Sequence, residues 1–296
     1  MSFSFGFFGG DGSAHGTDSG SSNNTNATTS NQPCLTPLKK HFPLEMFDQG
    51  GDLVYTPMTY GPYVFNKVDI EENENAIDKK SDIIPGVYEG GNKVWECSVD
   101  LATFLLQNKP ELVMSSNPRV IELGCGHAFP GIAALKIGYH SVVFSDLNSN
   151  VIDSATWPNI YLNCKDAMAQ VACYSGDWEL LSEHLFNSGE HGDGKFELIL
   201  SAETLYTEAC CAKLFDMVRR HLAPGGSALL ASKRFYFGVG GGTYSLQNLV
   251  ESDTSLSYEV IAVYEDGNSN IREIVRLQHR NSTAISATSA DTAMSV

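Results

Sequence analysis

Two glycines and a carboxylate near the middle of the chain have the types and the spacing of a nucleotide-binding site. Gly124 and Gly126 follow the mostly apolar run Val120–Leu123, and Asp146 ends a second apolar run about twenty residues further on. Glycine has no Cβ to block a ligand, and it tolerates the backbone angles of a tight turn between a strand and a helix. A carboxylate at the end of the next strand can accept hydrogen bonds from both hydroxyls of a ribose. The spacing therefore predicts a cofactor that contains a nucleoside.

The charge of Glu122 distinguishes between two cofactors of this kind. Glu122 is expected to lie inside the glycine turn, where a carboxylate would repel the pyrophosphate of a dinucleotide but would attract a cationic amino acid. The sequence thus favours S-adenosylmethionine, whose sulfonium and amino groups are both positive. A nicotinamide oxidoreductase is a weaker alternative, because the third glycine of the dinucleotide motif is also missing. A Gly-x-Gly pair by itself is common in α/β proteins without such a role.

The composition limits the class of protein. A chain of 296 residues, 42% of them hydrophobic, suits one large α/β domain with extensions. The formal net charge of −16 argues against direct binding to nucleic acid and favours a basic protein partner. No apolar stretch is long enough to span a bilayer and no secretory signal is visible, so we expect no membrane association. Seven cysteines without metal-site spacing indicate free thiols, which suits the cytoplasm and also the nucleus.

Apolar periodicity predicts alternating helices and strands from about residue 94 onward. Helices are expected at Val94–Leu106, Phe129–Ile137, from Asn148 with an interruption at Pro158, and at Glu208–Leu222, the last closed by Pro224-Gly225-Gly226. Strands are expected at Val120–Leu123, Ser141–Asp146, Gln170–Tyr174, Phe196–Leu200 and Ser227–Ser232, followed by a hairpin of Tyr258–Tyr264 and Ile271–Gln278. The alternation predicts an α/β fold with a mostly parallel sheet, one antiparallel strand and helices on both faces. Such sheets bind ligands beyond the carboxyl ends of their strands.

Composition shifts also predict the domain boundaries. Residues 1–32, rich in Gly, Ser, Asn and Thr, are expected to be a disordered tail, and 281–296 a second one. Residues 33–84 form an N-terminal extension of short strands and loops. The remaining region, 85–280, is expected to be one domain.

Five blocks of sequence resemble one family in particular. They are Gly86–Gly91 with Val94–Cys97, Ser175–Trp178, Ser201–Tyr206, Leu230–Lys233, and Tyr236–Gly242. This pattern resembles the class I, seven-β-strand S-adenosylmethionine-dependent protein methyltransferases, and within them the histidine protein methyltransferase family. The similarity covers about residues 82–279, and the Tyr236–Gly242 block is the most specific. The chain departs from the family pattern at His127–Pro130, where the glycine loop continues differently.

The resemblance implies a Rossmann-like class I methyltransferase fold, with a mostly parallel seven-stranded sheet and an antiparallel closing strand. It implies that 85–280 is an S-adenosylmethionine-dependent methyltransferase domain. It also implies cofactor-binding roles for residues beside each strand end. We expect the donor to contact Trp95, Glu96, Glu122, Gly124, Gly126, Asp146, Leu147, Asn148, Gly176, Asp177, Trp178 and Ser201. Trp95 would form a flat wall for the methionine end of the donor, whose sulfonium it attracts, or for the incoming imidazole. Glu96 would face the donor's amino group or cap a helix, and Asp177 with Trp178 would hold the adenine. The alternatives are a core tryptophan for Trp95, and an N-cap with a packed side chain for Asp177 and Trp178.

Three residues are candidates for the catalytic site: Glu203, Tyr206 and Asn148. Glu203 and Tyr206 follow a predicted strand, and their three-residue separation places them on one side of a turn. They could bond a substrate ring nitrogen, although Glu203 could instead begin the next helix as a favourable charge. His127 is expected to be a packed loop histidine rather than a base.

The family implies methyl transfer to a histidine of a large-subunit ribosomal protein, a basic partner, and we expect a monomer. Lysine methylation is a close alternative because neighbouring families carry similar Trp and Glu-x-x-Tyr elements. A non-catalytic scaffold that binds the cofactor is a third.

Overall fold

The architecture is taken from a computed structural model, which describes residues 35–43, 53–70, 88–108, 118–265, 267 and 270–280. The predicted tails, 1–32 and 281–296, lie outside these residues, and so does the predicted boundary between 84 and 85.

Two sheets form in the described part of the chain. The strands are β1 (Lys39–His41), β2 (Tyr55–Tyr60), β3 (Tyr63–Val68), β4 (Arg119–Leu123), β5 (Ser141–Asp146), β6 (Val171–Ser175), β7 (Phe196–Ala202), β8 (Leu222–Lys233), β9 (Leu256–Tyr264) and β10 (Arg272–His279). The larger sheet has eight strands in the order β1-β6-β5-β4-β7-β8-β10-β9, while β2 and β3 form a separate hairpin.

The central strands of the large sheet are parallel, as predicted. β6, β5, β4, β7 and β8 pair in parallel, and β10 runs antiparallel between β8 and β9. This arrangement confirms the Rossmann-like class I fold. The N-terminal extension adds an eighth strand at the other edge, because β1 pairs antiparallel with β6.

Helices cover both faces of the large sheet. They are α1 (Glu96–Gln107), α2 (Phe129–Ile137), α3 (Ser149–Val151), α4 (Trp157–Cys164), α5 (Trp178–Asn187), α6 (Glu208–His221) and α7 (Thr243–Ser252). α1, α2 and α4 contribute to one hydrophobic cluster, and α5, α6 and α7 to a second. Successive residues of β4, Val120 and Ile121, belong to different clusters. Since side chains alternate across a strand, the two clusters lie on opposite faces, which explains why β4 is apolar almost throughout.

The helical segment after β5 is interrupted near Pro158, as the sequence indicates. α3 continues into a π-helical turn, Ile152–Thr156, and α4 then starts with Pro158 in its first turn. Proline lacks an N–H and is tolerated only near a helix start, so the hydrogen-bonding pattern resets there.

The segment Pro224-Gly225-Gly226 differs from the prediction. It was expected to be a turn, but β8 already begins at Leu222. The strand register shifts here, because Phe196 is opposite Leu222 while Leu198 is opposite Ser227. The backbone also passes very near β7, since a Cβ at Gly226 would lie 2.8 Å from the Glu197 carbonyl oxygen. Glycine at 226 therefore allows the close approach of the two backbones at this irregularity in β8.

None of the helices in the described ranges is long and apolar enough to cross a membrane. Among the same residues, no group of three or more His, Cys, Asp or Glu side chains could hold a metal ion.

Candidate functional site

The turn after β4 brings its two glycines against neighbouring backbone and side chains. Gly124 and Gly126 both have positive φ, 69° and 49°, a conformation that favours glycine. The N–H of Gly126 donates to Asp146 Oδ2 at 3.0 Å. A Cβ at Gly126 would lie 3.0 Å from the carbonyl oxygen of Gly91, which crosses over the turn. The turn is therefore closed to side chains at both glycines.

Asp146 is the buried carboxylate of this site. It ends β5, is 5% exposed, and accepts a second backbone hydrogen bond from the N–H of Asn148, at 3.1 Å. Burial raises its pKa to about 6, although the backbone donors oppose the shift and nearby Glu89 adds to it. The half-buried Leu147 follows directly. A buried carboxylate beside a glycine turn fits a group that offers hydroxyl donors.

Glu122 does not lie in the turn, so that part of the prediction is wrong. It is a residue of β4, 1% exposed, and its Oε2 accepts a hydrogen bond from the N–H of Gly131 at 2.8 Å. Burial raises its pKa well above the ordinary value. The carboxyl group thus ties β4 to the first turns of α2. Because burial favours its neutral form, its charge is a poor argument about the cofactor.

Trp95 forms part of a segment that covers the glycine turn. It immediately precedes α1, is half-buried, and its indole N–H donates to the Gly90 carbonyl oxygen at 3.0 Å. The Lys93 ammonium lies 4.6 Å from the ring centre. The ring is therefore fixed to Gly90, the neighbour of the Gly91 that crosses the turn, and its face could serve as a wall.

Glu96 is turned away toward a surface ion pair. Its side chain is 53% exposed, and its Oε2 lies 3.3 Å from an Arg272 guanidinium nitrogen. Arg272 also binds Asp100, with 2.7 Å between the charged atoms. Glu96 is also the acidic residue in the first turn of α1, and its contact with the cofactor's amino group stays a prediction.

The glycine after β6 is required by the chain itself. Gly176 has φ 129°, and a Cβ there would lie 2.7 Å from the Pro37 carbonyl oxygen and 2.9 Å from the Leu38 Cα. Asp177 donates its N–H to the Thr36 carbonyl oxygen at 3.0 Å. The N-terminal segment therefore packs directly against Gly176, which the sequence pattern around 176 could not reveal, and a cofactor contact at Gly176 stays a prediction.

Asp177 adopts the alternative that the sequence left open. It is the N-cap of α5, where its Oδ1 accepts from the N–H of Glu179 at 3.1 Å. Its Oδ2 forms an ion pair with Lys213 at 2.8 Å, and the side chain is 10% exposed. Both oxygens are thus engaged within the protein, and a role toward adenine stays a prediction.

Trp178 begins α5 shortly after β6, and Ser201 is the last but one residue of β7. Trp178 Cζ2 is 3.8 Å from the position that a Cβ on Gly124 would take, so the indole borders the glycine turn. Ser201 is buried, and its hydroxyl donates to the Leu123 carbonyl oxygen at 2.6 Å while lying 2.7 Å from Thr204 Oγ1. These bonds join the ends of β4 and β7, and the contact of Ser201 with the cofactor stays a prediction.

Glu203 is held by groups from three parts of the chain. It has φ 58°, rare for a side-chain-bearing residue, and its N–H donates to the Ala231 carbonyl oxygen at 2.9 Å. Its Oε1 accepts from the Cys97 thiol at 3.0 Å, and its Oε2 accepts from the Tyr236 hydroxyl. A strained, side-chain-held carboxylate at a strand end is typical of a functional position. Cys97 and Tyr236 were missed as site residues because the bonds span 106 and 33 positions.

Glu203 does not begin the following helix. The N-cap of α6 is Thr207, whose side chain accepts from the N–H of Cys210, and Glu208 supplies the acid of the first turn. The alternative interpretation of Glu203 as a helix-start charge is therefore wrong.

Tyr206 and Asn148, the other two catalytic candidates, lie in segments that are hydrogen-bonded to neighbouring loops. Tyr206 is half-buried, and its segment is bonded to the glycines that follow Tyr236. The Gly242 N–H donates to the Leu205 carbonyl oxygen at 2.6 Å, and Gly240 forms an isolated antiparallel β-bridge with Thr207. The Asn148 amide oxygen accepts from the N–H of Glu89 at 3.2 Å. Their catalytic roles stay predictions.

His127 is a packed histidine, as predicted. Its Nε2 lies 2.8 Å from the Asn92 carbonyl oxygen and its Nδ1 lies 2.9 Å from Asn159 Nδ2. Burial lowers its pKa to about 4, so the ring is neutral and donates from Nε2. This geometry anchors the loop and leaves no nitrogen for proton transfer.

Comparison with known proteins identifies the family. Residues 77–236 match a family model described as lysine methyltransferase. The chain is 40% identical over 210 residues to a histidine protein methyltransferase 1 homolog of Dictyostelium discoideum, covering 71% of this chain and 64% of that protein. It is 34% identical over 275 residues to the Rattus norvegicus protein of the same name, covering 80% and 73%. The chain thus spans slightly under two thirds of the first relative and somewhat more of the second.

The fold has a counterpart among solved structures. A putative SAM-dependent methyltransferase from Streptococcus mutans superposes with a TM-score of 0.51 at 11% identity, covering 75% of this chain and 55% of that one. At this identity the likeness concerns the fold alone, whereas the relatives above define the family. Their similarity and the arrangement of the strand ends agree with the five sequence blocks, and the chain belongs to the family of histidine protein methyltransferase 1 homologues, within the broader group described as lysine methyltransferases.

Proposed function

We propose that this protein transfers a methyl group from S-adenosylmethionine to a histidine side chain of a protein substrate. The observation that carries the proposal is the 34% identity, across 80% of the chain, to a relative named for histidine methylation. The site offers what this reaction needs: a glycine turn with a buried carboxylate, and a second carboxylate fixed at a neighbouring strand end.

The first of these would hold the donor. S-adenosylmethionine supplies an electrophilic methyl group on a positively charged sulfur. Asp146 would accept from the ribose hydroxyls, and Gly124 and Gly126 leave their turn free of side chains. The indole of Trp178 borders this turn, that of Trp95 is bonded to Gly90 in the segment that crosses it, and both offer flat faces to a cation or a ring.

The second carboxylate would orient the acceptor. A neutral imidazole is already nucleophilic near pH 7, because the unperturbed pKa of histidine is about 6.5. The protein therefore needs no strong base; it needs to hold one tautomer in line with the methyl group, which lowers the barrier through positioning. Glu203 can accept the N–H of one ring nitrogen and leave the other free to react. Tyr206 and Asn148 would contribute to the same orientation.

We propose a basic protein of the large ribosomal subunit as the substrate, acted on by a monomeric enzyme in the cytoplasm or the nucleus. The net charge of −16 supports a basic partner, since it would speed their encounter. The resemblance noted in the sequence supports the ribosomal assignment.

Lysine is the second candidate acceptor, favoured by the description of the matching family model. A lysine must first lose a proton, because its ordinary pKa near 10.4 leaves it charged. The buried Asp146 and His127 have other partners, so a deprotonation route would have to pass through Glu203 or solvent.

The test is transfer from tritiated S-adenosylmethionine into an extract of cells that lack this protein, with the labelled residue identified by mass spectrometry. We expect label on histidine of a basic protein with the wild-type protein and none with Gly126→Arg. Label on lysine supports the second candidate. Binding of the donor without any transfer supports a non-catalytic scaffold, and binding of a nicotinamide dinucleotide instead would overturn the assignment.

A further inference from the structure

The Glu203 carboxylate receives two side-chain donors, Cys97 and Tyr236, that the proposed function does not use. The Cys97 thiol donates to Oε1 at 3.0 Å, and the Tyr236 hydroxyl donates to Oε2. Cys97 lies on α1 and Tyr236 follows β8, so the Glu203 carboxylate is hydrogen-bonded to two separate parts of the fold. An ionised carboxylate has about four lone-pair directions. With two of them used, the group cannot swing, and it still has acceptor capacity for a substrate.

Both donors retain their protons over a broad pH range. Burial, and then the charge of Glu203, raises the pKa of the Cys97 thiol well above its usual value. The same two causes, in the same order, raise the pKa of the Tyr236 hydroxyl. Each group therefore acts as a hydrogen-bond donor near neutral pH rather than as an acid or a nucleophile.

The loop that carries Tyr236 is built to turn this side chain inward. Its neighbours Phe235 and Phe237 are 40% and 84% exposed, an unfavourable placement for phenylalanine. The Tyr236 N–H donates to the Gly241 carbonyl oxygen at 3.1 Å, and its hydroxyl also lies 3.2 Å from Ser232 Oγ. The loop thus leaves the Phe237 ring largely in water, and Phe235 against Tyr244 at the surface, while it keeps Tyr236 on Glu203.

We propose that Tyr236 is a positioning residue which, together with Cys97, fixes Glu203 as the acceptor for one ring N–H of the substrate histidine and so selects the ring nitrogen that is methylated. This inference rests on the proposed function. The nitrogen facing away from Glu203 forms the new bond to carbon as the bond between carbon and sulfur breaks. The ring becomes cationic, is stabilised by the carboxylate, and releases its N–H proton to solvent.

The test compares Tyr236→Phe with a matched control, Tyr258→Phe. Tyr258 is another partly buried tyrosine, whose hydroxyl donates to the Thr243 carbonyl oxygen at 3.3 Å, away from Glu203. The probe is total ribosomal protein from cells lacking this protein, incubated with tritiated S-adenosylmethionine and hydrolysed to separate the two methylhistidine isomers. We expect a single isomer from the wild-type protein and from the control. Tyr236→Phe should lower kcat at least about tenfold, leave KM for the donor within about twofold, and yield both isomers.

Two further readouts keep the inference open to refutation. If Tyr236→Phe does not fold, Cys97→Ala should mix the isomers whereas Cys97→Ser, which keeps a donor, should not. Independently of turnover, proton NMR should show a slowly exchanging Tyr236 hydroxyl that is lost in Tyr236→Phe and shifted in Glu203→Gln. One isomer at near wild-type kcat from Tyr236→Phe would overturn the inference. A wild-type protein that makes no methylhistidine would overturn the proposed function, and the NMR signal would still report on the pair.

Discussion

Two carboxylates at the carboxyl ends of central strands, Asp146 and Glu203, are held in place by different kinds of hydrogen-bond donor. Asp146 is held by backbone N–H groups of Gly126 and Asn148, which belong to the turn and the helix start beside it. Glu203 is held by the side chains of Cys97 and Tyr236, from distant parts of the chain. Backbone donors persist in almost any variant, whereas side-chain donors can be removed one at a time.

Because Asp146 is held by backbone groups and Glu203 by side chains, substitutions should affect the two halves of the site differently. The end near Asp146 depends on glycines, which keep the backbone donors in place and exclude side chains. The end near Glu203 depends on which side chains are present. Single substitutions there can therefore change the orientation of the substrate histidine without changing how S-adenosylmethionine binds. The predictions below probe this division, starting with the largest effect.

Gly126→Arg should abolish binding of S-adenosylmethionine. The backbone at Gly126 has positive φ, and a Cβ there would already lie 3.0 Å from the Gly91 carbonyl oxygen, so the long side chain must occupy the turn. We expect an affinity loss of at least a thousandfold, about 4 kcal/mol, by titration calorimetry.

The matched control for that variant is Gly138→Ala. Gly138 also has positive φ, 105°, but a Cβ there would meet nothing within 4 Å. It should lose about 1 kcal/mol of stability through backbone strain and keep its affinity for the donor. Equal losses of affinity in both variants would show that strain alone, rather than occupation of the turn, disrupts binding.

Binding of the donor should depend on the protonation of Asp146. Burial raises the pKa of this carboxyl to about 6, and only its ionised form accepts from both ribose hydroxyls. Since a raised pKa means that the charged form is present above about pH 6 and is lost below it, affinity should fall about tenfold between pH 7 and pH 5. Calorimetry across this range measures the effect. A flat profile would show that Asp146 has no ribose to accept from.

The same division explains what the sequence could and could not predict. The bounds of α2 and β5 and the turn between Gly124 and Gly126 follow from local apolar runs and glycines, so they were predictable. The close approach of Pro37 to Gly176 was not predictable, because the two residues lie 139 positions apart in the chain. The bonds of Tyr236 and Cys97 to Glu203 depend on the packing of α1 and the loop after β8. Periodicity carries no information on such pairs, whereas it does locate helices and strands along the chain.

Asp177→Ser should separate two roles of one residue. Serine is also a good N-cap, so α5 should lose only a few tenths of a kcal/mol. The ion pair with Lys213 and any bond to adenine would be lost, and the latter should weaken donor binding by about 1–3 kcal/mol. Unchanged affinity, measured by calorimetry alongside thermal unfolding, would assign Asp177 to capping alone.

Glu96→Gln should have the smallest effect, because the Glu96 carboxylate faces Arg272 in an exposed pair. Exposed pairs of this kind contribute about 0–1 kcal/mol, and Arg272 keeps Asp100 as a partner, with 2.7 Å between the charged atoms. Affinity for S-adenosylmethionine should therefore stay within about twofold of the wild-type value, while thermal stability changes little. A tenfold loss of affinity would mean that Glu96 leaves Arg272 and contacts the donor's amino group, as the sequence pattern indicates. In that case a carboxylate held by a side chain, Glu96, would also bind S-adenosylmethionine beside Asp146. The two halves of the site would then no longer differ in whether backbone or side-chain groups hold their carboxylates.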